Sequence, residues 1–439
     1  MPARSAPEPA IAGRTAREIA LSVEERIRAG NLRPRDRLPT IRGLATELGV
    51  SPMTVATAYR ELRRRGLISS AGRRGTRVNE QPPLPVSAAP FVPPGARDLA
   101  TGNPDPELLP PLGLADIGPG PRPHPRTNKL DELVAHAESA FAADGFPNEA
   151  VAVVAGALDG VERVLAAHLA QGDLIAVEDP TFSRILDLLR ALGLVPAPVA
   201  VDDDGLLPDD LHRALQAGAK ALLVTPRWQN PFGARLTTER ARELRDVLDR
   251  HDVVVVEDDH AGLVAAEGSH SVAGGRRWAT IRSVSKAFGP DYRVAVMAGD
   301  PTTVARVEGR QLLATGWVSL LLQQLVSNLW SDPAVRQTLD QAGAAYAERR
   351  MRLLEALAAR GIAASGVSGM NVWIPVVEEA ATVAGMLQRG WAIVAGERFR
   401  LRTGPAVRIT TSTLAPGEAE AVAEDLAAVL DRRPGAYAS

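Results

Sequence analysis

The feature that most constrains the fold is a series of short, very hydrophobic runs that alternate with amphipathic segments between residues 150 and 300. The segments between the runs, such as LDGVERVLAAHLAQG and ERARELRDVLDRH, repeat apolar residues at helical spacing. Strands that alternate with helices in this way form a largely parallel sheet with helices on both faces. We therefore predict an α/β domain with the strands VAVVAG, LIAVE, ALLVTP, VVVVE, TIRSVS and VAVMAG.

The residues after about 340 have a different pattern. Long helical segments rich in Ala, Leu, Glu and Arg surround two extended runs, GMNVWIPV and AVRITTSTL. This pattern predicts a smaller α+β lobe that belongs to the same domain.

Residues 12–80 predict a separate small module of three helices and a β-wing. The helical segments are TAREIALSVEERIRAG, LPTIRGLATELG and SPMTVATAYRELRRRG, each closed by a glycine. Ser51 stands at the N-cap of the third helix and Pro52 at its first position, and ISSAGRRGTRV predicts two short strands around a turn. The Pro-rich stretch 81–98 lacks a helical or strand period and predicts an extended linker. Residues 99–435 then form the α/β domain.

The charge distribution separates the two ends of the chain. Residues 1–80 contain 16 Arg, no Lys and 8 acidic residues, a formal charge of +8, whereas the remainder carries −10 of the total of −2. A basic module is expected of a protein that binds the phosphate backbone of DNA. A solvated charged face is the alternative at this point.

Several classes of chemistry are excluded or disfavoured by composition. The chain has no cysteine, so disulfides, thiolate catalysis and cysteine-bound metal are excluded, and its seven histidines show no metal-ligand spacing. No run of eighteen apolar residues is present and the N-terminus lacks an apolar signal segment. We therefore expect a cytoplasmic protein with no metal and no membrane partner.

The segment LPTIRGLATELGVSPMTVATAYRELRRRGLI, followed by GRRGTRV, resembles the winged helix-turn-helix of the GntR superfamily. The resemblance implies a small apolar core of Leu38, Ile41, Leu44, Leu48, Val55, Tyr59, Leu62 and Leu67, with the start of the third helix facing the major groove of double-stranded DNA. It also implies a set of DNA-binding residues: Arg42, Ser51, Met53, Thr54, Thr57, Arg73, Arg74 and Arg77. No Arg follows Pro52 until Arg60, which argues against guanine readout by this helix. The alternative is a helical protein-interaction module, or a relic that no longer binds DNA.

Lysine is rare in this chain, with Lys129, Lys220 and Lys286 as its three instances. Where Arg has replaced nearly every Lys, a retained amine suggests chemistry that needs a neutral nitrogen, although chance retention explains any single one. Lys286 lies in SVSKAFGPDYR, which resembles the Schiff-base motif of fold type I aminotransferases and of MocR regulators. That resemblance implies an internal aldimine between Lys286 and pyridoxal 5'-phosphate (PLP). Lys129 and Lys220 are interpreted as surface residues.

Further segments resemble other parts of the same cofactor site. Asp258 in VVVVEDDH is implied as the partner of the pyridine nitrogen, Asn230 in TPRWQNPFG as a donor to the phenolic oxygen, and Phe182 in EDPTF as the residue that stacks on the ring. The phosphate is implied to meet the hydroxyl and guanidinium groups of Ser283, Ser285 and Arg293 and a helix N-terminus at Gly156, Ala157 and Leu158. Arg408 in AVRITTSTL is the candidate clamp for an effector carboxylate. Each residue also has an ordinary structural interpretation, namely a buried ion pair, a turn, a core ring or a surface charge.

Taken together, residues 12 to 430 resemble the MocR subfamily of GntR-type regulators, with segments closest to its repressors of vitamin B6 salvage. The resemblance implies a homodimer whose effector is PLP. His260 stands where most aminotransferases have a tyrosine, and Ala157 lacks the usual hydroxyl, so efficient transamination is not expected. The alternative is an active aminotransferase that carries a DNA-binding appendage.

Overall fold

The computed structural model describes residues 11–28, 31–64, 67–70, 75–79, 90, 92–111, 127–266, 268 and 270–431. These residues form two compact units, one built mainly from residues 11–79 and one mainly from residues 90–431. None of the helices in the described ranges is long and apolar enough to cross a membrane. Within the same ranges, no group of three or more His, Asp or Glu side chains is arranged to hold a metal ion.

The first unit has the predicted order of three helices and a two-stranded wing. Its elements are α1 (Ala16–Arg28), α2 (Ile41–Leu48), α3 (Pro52–Arg64), β1 (Ile68–Ser70) and β2 (Thr76–Val78). The two strands are antiparallel, with Ile68 opposite Val78. Helix α3 begins at Pro52, and Ser51 caps it because its Oγ accepts a hydrogen bond of 3.1 Å from the backbone N–H of Thr54.

The core of this unit combines apolar side chains from all three helices and both strands. Its buried members include Ile19, Val23, Leu38, Leu44, Val55, Tyr59, Leu62, Ile68 and Val78. The Tyr59 hydroxyl donates to the carbonyl of Pro39 at 2.9 Å and so ties α3 to the segment before α2. Ile41, Leu48 and Leu67 were predicted as core but are only partly buried: Ile41 and Leu48 are the end residues of α2, and Leu67 precedes β1.

The second unit begins with a short strand, β3 (Arg97–Asp98), which pairs in parallel with Trp391 and Ala392. Arg97 and Asp98 were predicted to belong to the linker, and for these two residues the prediction was wrong. Two residues are too few to give a strand period, so the pairing could not be recognised from the pattern. Residues 80–89 and 91, which contain most of the predicted linker, lie outside the described residues.

A mixed sheet with four neighbouring parallel strands forms the centre of the second unit. Its strands are β4 (Ala150–Val154), β5 (Leu174–Asp179), β6 (Val195–Asp202), β7 (Gly205–Leu206), β8 (Ala219–Val224), β9 (Val254–Asp259), β10 (Trp278–Ser283) and β11 (Ala295–Gly299). Among the described residues their order is β4-β11-β10-β9-β8-β5-β6-β7. Strands β5, β8, β9 and β10 are parallel, whereas β11 is antiparallel to both of its neighbours. The six predicted strands are all present.

Helices cover both faces of this sheet. They are α4 (Asp131–Ala143), α5 (Ala157–His168), α6 (Ser183–Ala191), α7 (Pro208–Gln216), α8 (Thr238–Leu248), α9 (Pro301–Leu313) and α10 (Leu320–Ser331). Val255 belongs to the same apolar cluster as Leu133 of α4. On the other face α5 packs closely, since a Cβ added at Gly160 would lie 3.1 Å from the side chain of Ile281. This arrangement confirms the α/β prediction.

The smaller lobe predicted after residue 340 is also present. It contains α11 (Pro333–Ala358), β12 (Asn371–Pro375), α12 (Glu379–Gln388), β13 (Trp391–Ala392), β14 (Val394–Ala395), β15 (Ala406–Thr410) and α13 (Glu418–Leu430). Strands β12, β15 and β14 form an antiparallel sheet in that order. Its apolar core, which includes Leu353, Val372, Val407 and Leu426, is separate from the core of the large sheet.

A buried ion cluster stabilises the carboxyl end of β9. The carboxylate of Asp259 accepts hydrogen bonds of 2.7 Å from the Nε atoms of both Arg227 and Arg282, and Asp144 bridges the same two guanidinium groups at 2.7 and 2.8 Å. Asp259 is fully buried, and the charges of Arg282 and Arg227 outweigh burial and hold the pKa of its carboxyl well below the usual range. The cluster joins β9, β10, α4 and the loop after β8.

Substitution of Asp259 should lower the free energy of unfolding strongly. Asp259→Ala leaves two buried arginines without their main partner, which costs about 3–5 kcal/mol. The control Asp252→Ala removes an exposed carboxylate that pairs with Arg277 and should cost at most about 1 kcal/mol. Urea denaturation followed by tryptophan fluorescence measures the free energy of unfolding of both variants. Equal decreases in the two variants would contradict the prediction.

Candidate cofactor site

A cavity of about 570 Å³ lies in the second unit at the carboxyl ends of β8, β9 and β10 and the start of α5. Ligands bind at these strand ends in open α/β sheets. The cavity brings together predicted residues from distant parts of the sequence, namely Ala157, Leu158, Phe182, Asn230, Asp258, His260, Ser283, Ser285, Lys286, Arg293 and Arg408. Gly156 is adjacent to the cavity as the N-cap residue of α5.

One end of the cavity is suited to an anion. Helix α5 begins at Ala157, and the N–H groups of a first helical turn have no partners within the helix. Arg293 lies against this helix start, because a Cβ at Gly156 would come within 2.5 Å of its Nη2 atom. The hydroxyls of Ser283 and Ser285 lie 2.9 Å apart beside it. A guanidinium group, two hydroxyls and a helix N-terminus are the donors that a phosphate group requires.

A buried carboxylate lies at the floor of the cavity. Asp258 is 5% exposed, and its Oδ1 atom has no hydrogen-bond partner among the described residues. Burial, together with the charge of Asp259, raises the pKa of Asp258 to about 7. Because a buried acceptor without a partner is costly, this oxygen is suited to a cationic N–H donor of a ligand.

Lys286 extends into the same cavity. Its Nζ donates a hydrogen bond of 2.6 Å to the carbonyl of Gly102. Burial, and then the charge of Arg408, lower the pKa of Lys286 to about 8, so a sizeable fraction of the amine is neutral at physiological pH. His260 has its Nδ1 atom 4.0 Å from Asp258 Oδ1. Burial and the charge of Lys286 lower the pKa of this histidine to about 4, and its imidazole is therefore neutral.

Arg408 forms the side of the cavity nearest the small lobe. It lies on β15, donates 3.0 Å from Nη1 to Asn230 Oδ1, and also donates to the carbonyl of Ala100. Its guanidinium carbon is 4.8 Å from the centre of the Phe399 ring. The bond from Arg408 fixes the orientation of the Asn230 amide, since the amide oxygen must face the guanidinium group.

Some residues of the cavity were missed by the sequence analysis. They are Pro90, Thr101, Gly102, Asn103, Ser183, Arg184, Thr225, Arg398 and Phe399. Thr225 stands at the start of a segment already recognised, so its position was within reach, but Arg398 and Phe399 carry no motif. Lys129 was interpreted as a surface residue, whereas it is partly buried and bonded to Glu308 and to the carbonyl of Val151.

The predicted DNA-binding residues that are described lie on the surface of the first unit. Met53 is 68% exposed, and Arg42, Ser51, Thr57 and Arg77 are exposed as well, whereas Thr54 is partly buried. The hydroxyls of Ser51 and Thr54 lie 2.9 Å apart and bond to each other. Arg77 donates to the carbonyl of Arg35 at 2.9 Å, which holds β2 against the segment before α2. Arg73 and Arg74 lie outside the described residues.

Comparison with known proteins places both units in known families. Residues 15–78 match the gntR family of bacterial regulatory proteins, and residues 135–426 match aminotransferase class I and II. The chain is 39% identical over 431 residues to the vitamin B6 salvage pathway transcriptional repressor PtsJ of Salmonella typhimurium, covering 96% of this chain and 100% of that protein. It is 30% identical over 257 residues to the pyridoxine biosynthesis transcriptional regulator PdxR of Corynebacterium glutamicum, and this match covers 55% of this chain and 55% of that protein.

Solved structures resemble the second unit. The α-aminoadipate aminotransferase LysN of Thermus thermophilus, complexed with N-(5'-phosphopyridoxyl)-L-leucine, superimposes with a TM-score of 0.68 at 22% identity, covering 77% of this chain and 92% of that chain. The fold and the family matches define a DNA-binding transcription regulator in which a GntR-type helix-turn-helix is fused to a fold type I aminotransferase domain. The chain belongs to the MocR family of such regulators.

An alanine at position 156 should weaken binding of PLP. Gly156 has φ 98°, and an added methyl group would displace Arg293 from the start of α5. We expect Gly156→Ala to reduce PLP affinity by at least about tenfold through loss of charge-assisted bonds to the phosphate. Gly218→Ala is the matched control, since Gly218 also has φ 98° but nothing within 4 Å of the added carbon. Fluorescence titration with PLP distinguishes the two, and equal affinities would contradict the assignment of this end of the cavity.

Proposed function

We propose that this chain regulates transcription in response to PLP, which it holds in the cavity with Lys286 as the covalent attachment point. We also propose that it acts as a repressor in vitamin B6 salvage, as the name of the relative from Salmonella typhimurium states for that protein. The observation that carries the proposal is the buried Asp258 oxygen without a partner, in the same cavity as a lysine of lowered pKa. A pyridine N–H and an aldehyde are the two groups that such a pair accommodates.

The residues of the cavity fit the cofactor at each of its functional groups. Asp258 would bind the ring nitrogen and keep it protonated, Asn230 and His260 would contact the phenolic oxygen, and Phe182 would stack on the ring. The phosphate would be held by residues of the anion end, namely Gly156, Ala157, Leu158, Ser283, Ser285 and Arg293. When bound, the cofactor supplies an aldehyde that reacts with amines and a ring that withdraws electrons.

A regulator, rather than an enzyme, is favoured by the residue at position 260. The lowered pKa of His260 leaves a neutral imidazole, which contributes no positive charge and no phenolic hydroxyl beside the cofactor. Ala157 supplies only its backbone at the phosphate. The alternative, an aminotransferase with a DNA-binding appendage, is favoured by the buried guanidinium of Arg408, which could hold the carboxylate of a substrate amino acid.

We further propose that the protein acts in the cytoplasm as a homodimer that reads a two-fold operator. The first turn of α3 would face the major groove, with Arg42 and Arg77 on the phosphate backbone. Helix α9 exposes Leu312 and Leu313 at its end and helix α10 exposes Leu321 at its start, and Leu313 is 91% exposed. Exposed apolar residues that are close together often mark an interface between subunits.

Attachment of the cofactor to Lys286 should depend on pH with a midpoint near 8. Only the neutral amine attacks an aldehyde, so the rate should rise with pH and level off above about pH 8. Arg408→Gln removes a positive neighbour, raises the pKa of the amine and should move the midpoint to higher pH. The control Arg402→Gln changes an exposed arginine outside the cavity and should leave the midpoint in place. Stopped-flow absorbance of PLP measures the rate, and a wild-type midpoint above about 10 would contradict the expectation.

The PLP dependence of DNA binding separates the regulator from the enzyme. Fluorescence anisotropy with the upstream DNA of the gene should show that PLP changes the affinity of the wild type by about 5-fold to 150-fold, the usual range of allosteric coupling. Lys286→Ala should bind the DNA without PLP as the wild type does but show no change when PLP is added. Lys220→Ala, which alters an exposed lysine of β8, should behave as the wild type.

The opposite result would support the enzyme. If PLP attaches to Lys286 but DNA affinity stays constant, and added amino acids are turned over, the chain is an aminotransferase with a DNA-binding appendage. The stoichiometry of the same titration tests the homodimer, since two chains should bind each operator.

A further inference from the structure

A buried carboxylate beside the cavity is not used by the proposed function. Glu178 lies on β5, is 2% exposed and is not one of the residues that line the cavity. Its Oε1 atom accepts a hydrogen bond of 3.1 Å from the backbone N–H of Thr225, and its Oε2 atom accepts one of 3.2 Å from Nε2 of Gln229. Both donors belong to the loop after β8, so Glu178 joins the end of β5 to this loop.

The side chain of Gln229 forms a bridge between two loops. Gln229 is 1% exposed, and both hydrogens and the oxygen of its amide have partners. In addition to Glu178, its Nε2 atom donates to the carbonyl of Pro180 at 2.7 Å, and its Oε1 atom accepts a bond of 2.9 Å from the backbone N–H of Phe232. Rotation of the amide by 180° would place its NH2 group against the N–H of Phe232, so these bonds define one orientation of the side chain.

The two loops that this bridge joins carry two of the residues proposed to contact the cofactor. Phe182 follows Pro180 by two positions, and Asn230 follows Gln229 directly. Both side chains line the cavity, and they follow β5 and β8, which are neighbours in the sheet. A ring that stacks on Phe182 and bonds to Asn230 through its phenolic oxygen requires a fixed separation of these two side chains. Supporting residues that lock the binding residues in place provide such a separation.

The residue after Glu178 binds the small lobe instead. Asp179 accepts hydrogen bonds of 2.7 to 2.9 Å from the backbone N–H groups of Leu401, Arg402 and Thr403. The end of β5 is therefore held from two directions, by the loop after β8 through Glu178 and by the small lobe through Asp179. The bonds of Glu178 act on the distance between the two loops, whereas those of Asp179 act on the position of the small lobe.

We propose that Glu178 is a positioning residue for the cofactor. Through Gln229 it holds Phe182 and Asn230 at the separation that the ring requires, although it does not touch the ring. A carboxylate suits this position because it accepts both bonds, whereas a glutamine would set its NH2 group against one of the two donors. This inference rests on the proposed function, since it assumes that PLP occupies the cavity.

The test replaces Glu178 by its amide and compares the binding of PLP to the full-length protein. The titrations are run at pH 9, because burial raises the pKa of Glu178 to about 8 and the carboxylate form predominates above that value. Fluorescence gives the Kd, and the circular dichroism of the bound cofactor at saturation reports the orientation of its ring. We expect Glu178→Gln to bind PLP at least about tenfold more weakly, the effect of one lost hydrogen bond to a charged group. The dichroism per bound cofactor should change as well.

A second variant separates positioning from a direct effect of charge. Gln229→Met removes the bridge but leaves the carboxylate of Glu178 in place, and we expect it to reproduce both changes. It also tests the bridge by itself if Glu178→Gln does not fold.

Asp300→Asn is the matched control. Asp300 is 5% exposed and accepts bonds of 2.9 to 3.1 Å from the backbone N–H groups of Trp278, Thr302 and Thr303. These residues lie at the amino end of β10, opposite the strand ends that form the cavity. The control should lower the urea midpoint of unfolding as Glu178→Gln does, but keep the wild-type Kd for PLP and the wild-type dichroism.

The inference is overturned if Glu178→Gln or Gln229→Met keeps the wild-type Kd and dichroism, or if Asp300→Asn changes them equally. In each case, a wild type whose DNA binding responds to PLP leaves the proposed function intact. A wild type that does not bind PLP, or whose DNA binding is unchanged by it, would instead count against the proposed function itself.

Discussion

The second unit depends on the way consecutive side chains of β9 alternate between the two faces of the sheet. Asp259, in register with Arg282, belongs to the buried cluster on the α4 side, whereas Asp258, in register with Ile281, faces the α5 side, where the cavity opens. One carboxylate is neutralised by two arginines and fixes the strand end, and its neighbour is left without a partner. The same negative charge of Asp259 also raises the pKa of Asp258. The charge of the ion cluster therefore acts on the pKa of a ligand-binding carboxylate that is one residue away in the sequence.

The cavity is assembled from charges that the protein leaves incompletely compensated. Among the described residues, Asp258 Oδ1 and Arg408 Nε have no hydrogen-bond partner, and Lys286 has an amine of lowered pKa. Burial destabilises the charged form of each group, and Arg408 repels the ammonium form of Lys286; a ligand of complementary charge relieves this cost. This stored cost favours ligand binding over the ligand-free state. A regulator requires such a difference, because a ligand shifts an equilibrium only by its differential interaction with the two states.

The sequence was sufficient to predict the main strands and the motifs at their ends. Buried parallel strands are continuous hydrophobic runs, and polar residues follow them directly. Strands β6 and β7 were missed because VPAPVAVD contains two prolines and most of its side chains are only partly buried. The pairing of Arg97–Asp98 with Trp391–Ala392 joins residues almost three hundred positions apart, and no local pattern records it. Arg398 was missed for the same reason, since it enters the cavity only because Glu379 and Asp179 shape its loop.

The hydrogen bond from Lys286 to the Gly102 carbonyl ties the reactive nitrogen to a segment that begins four residues after β3. An ammonium group has three N–H bonds, whereas a nitrogen joined to an aldehyde carbon keeps at most one. A ligand that reacts with the Lys286 amine therefore leaves fewer N–H groups for the Gly102 carbonyl. Reaction at Lys286 therefore changes the hydrogen bonding of one main-chain carbonyl downstream of the linker, that of Gly102. This change requires no displacement of the sheet.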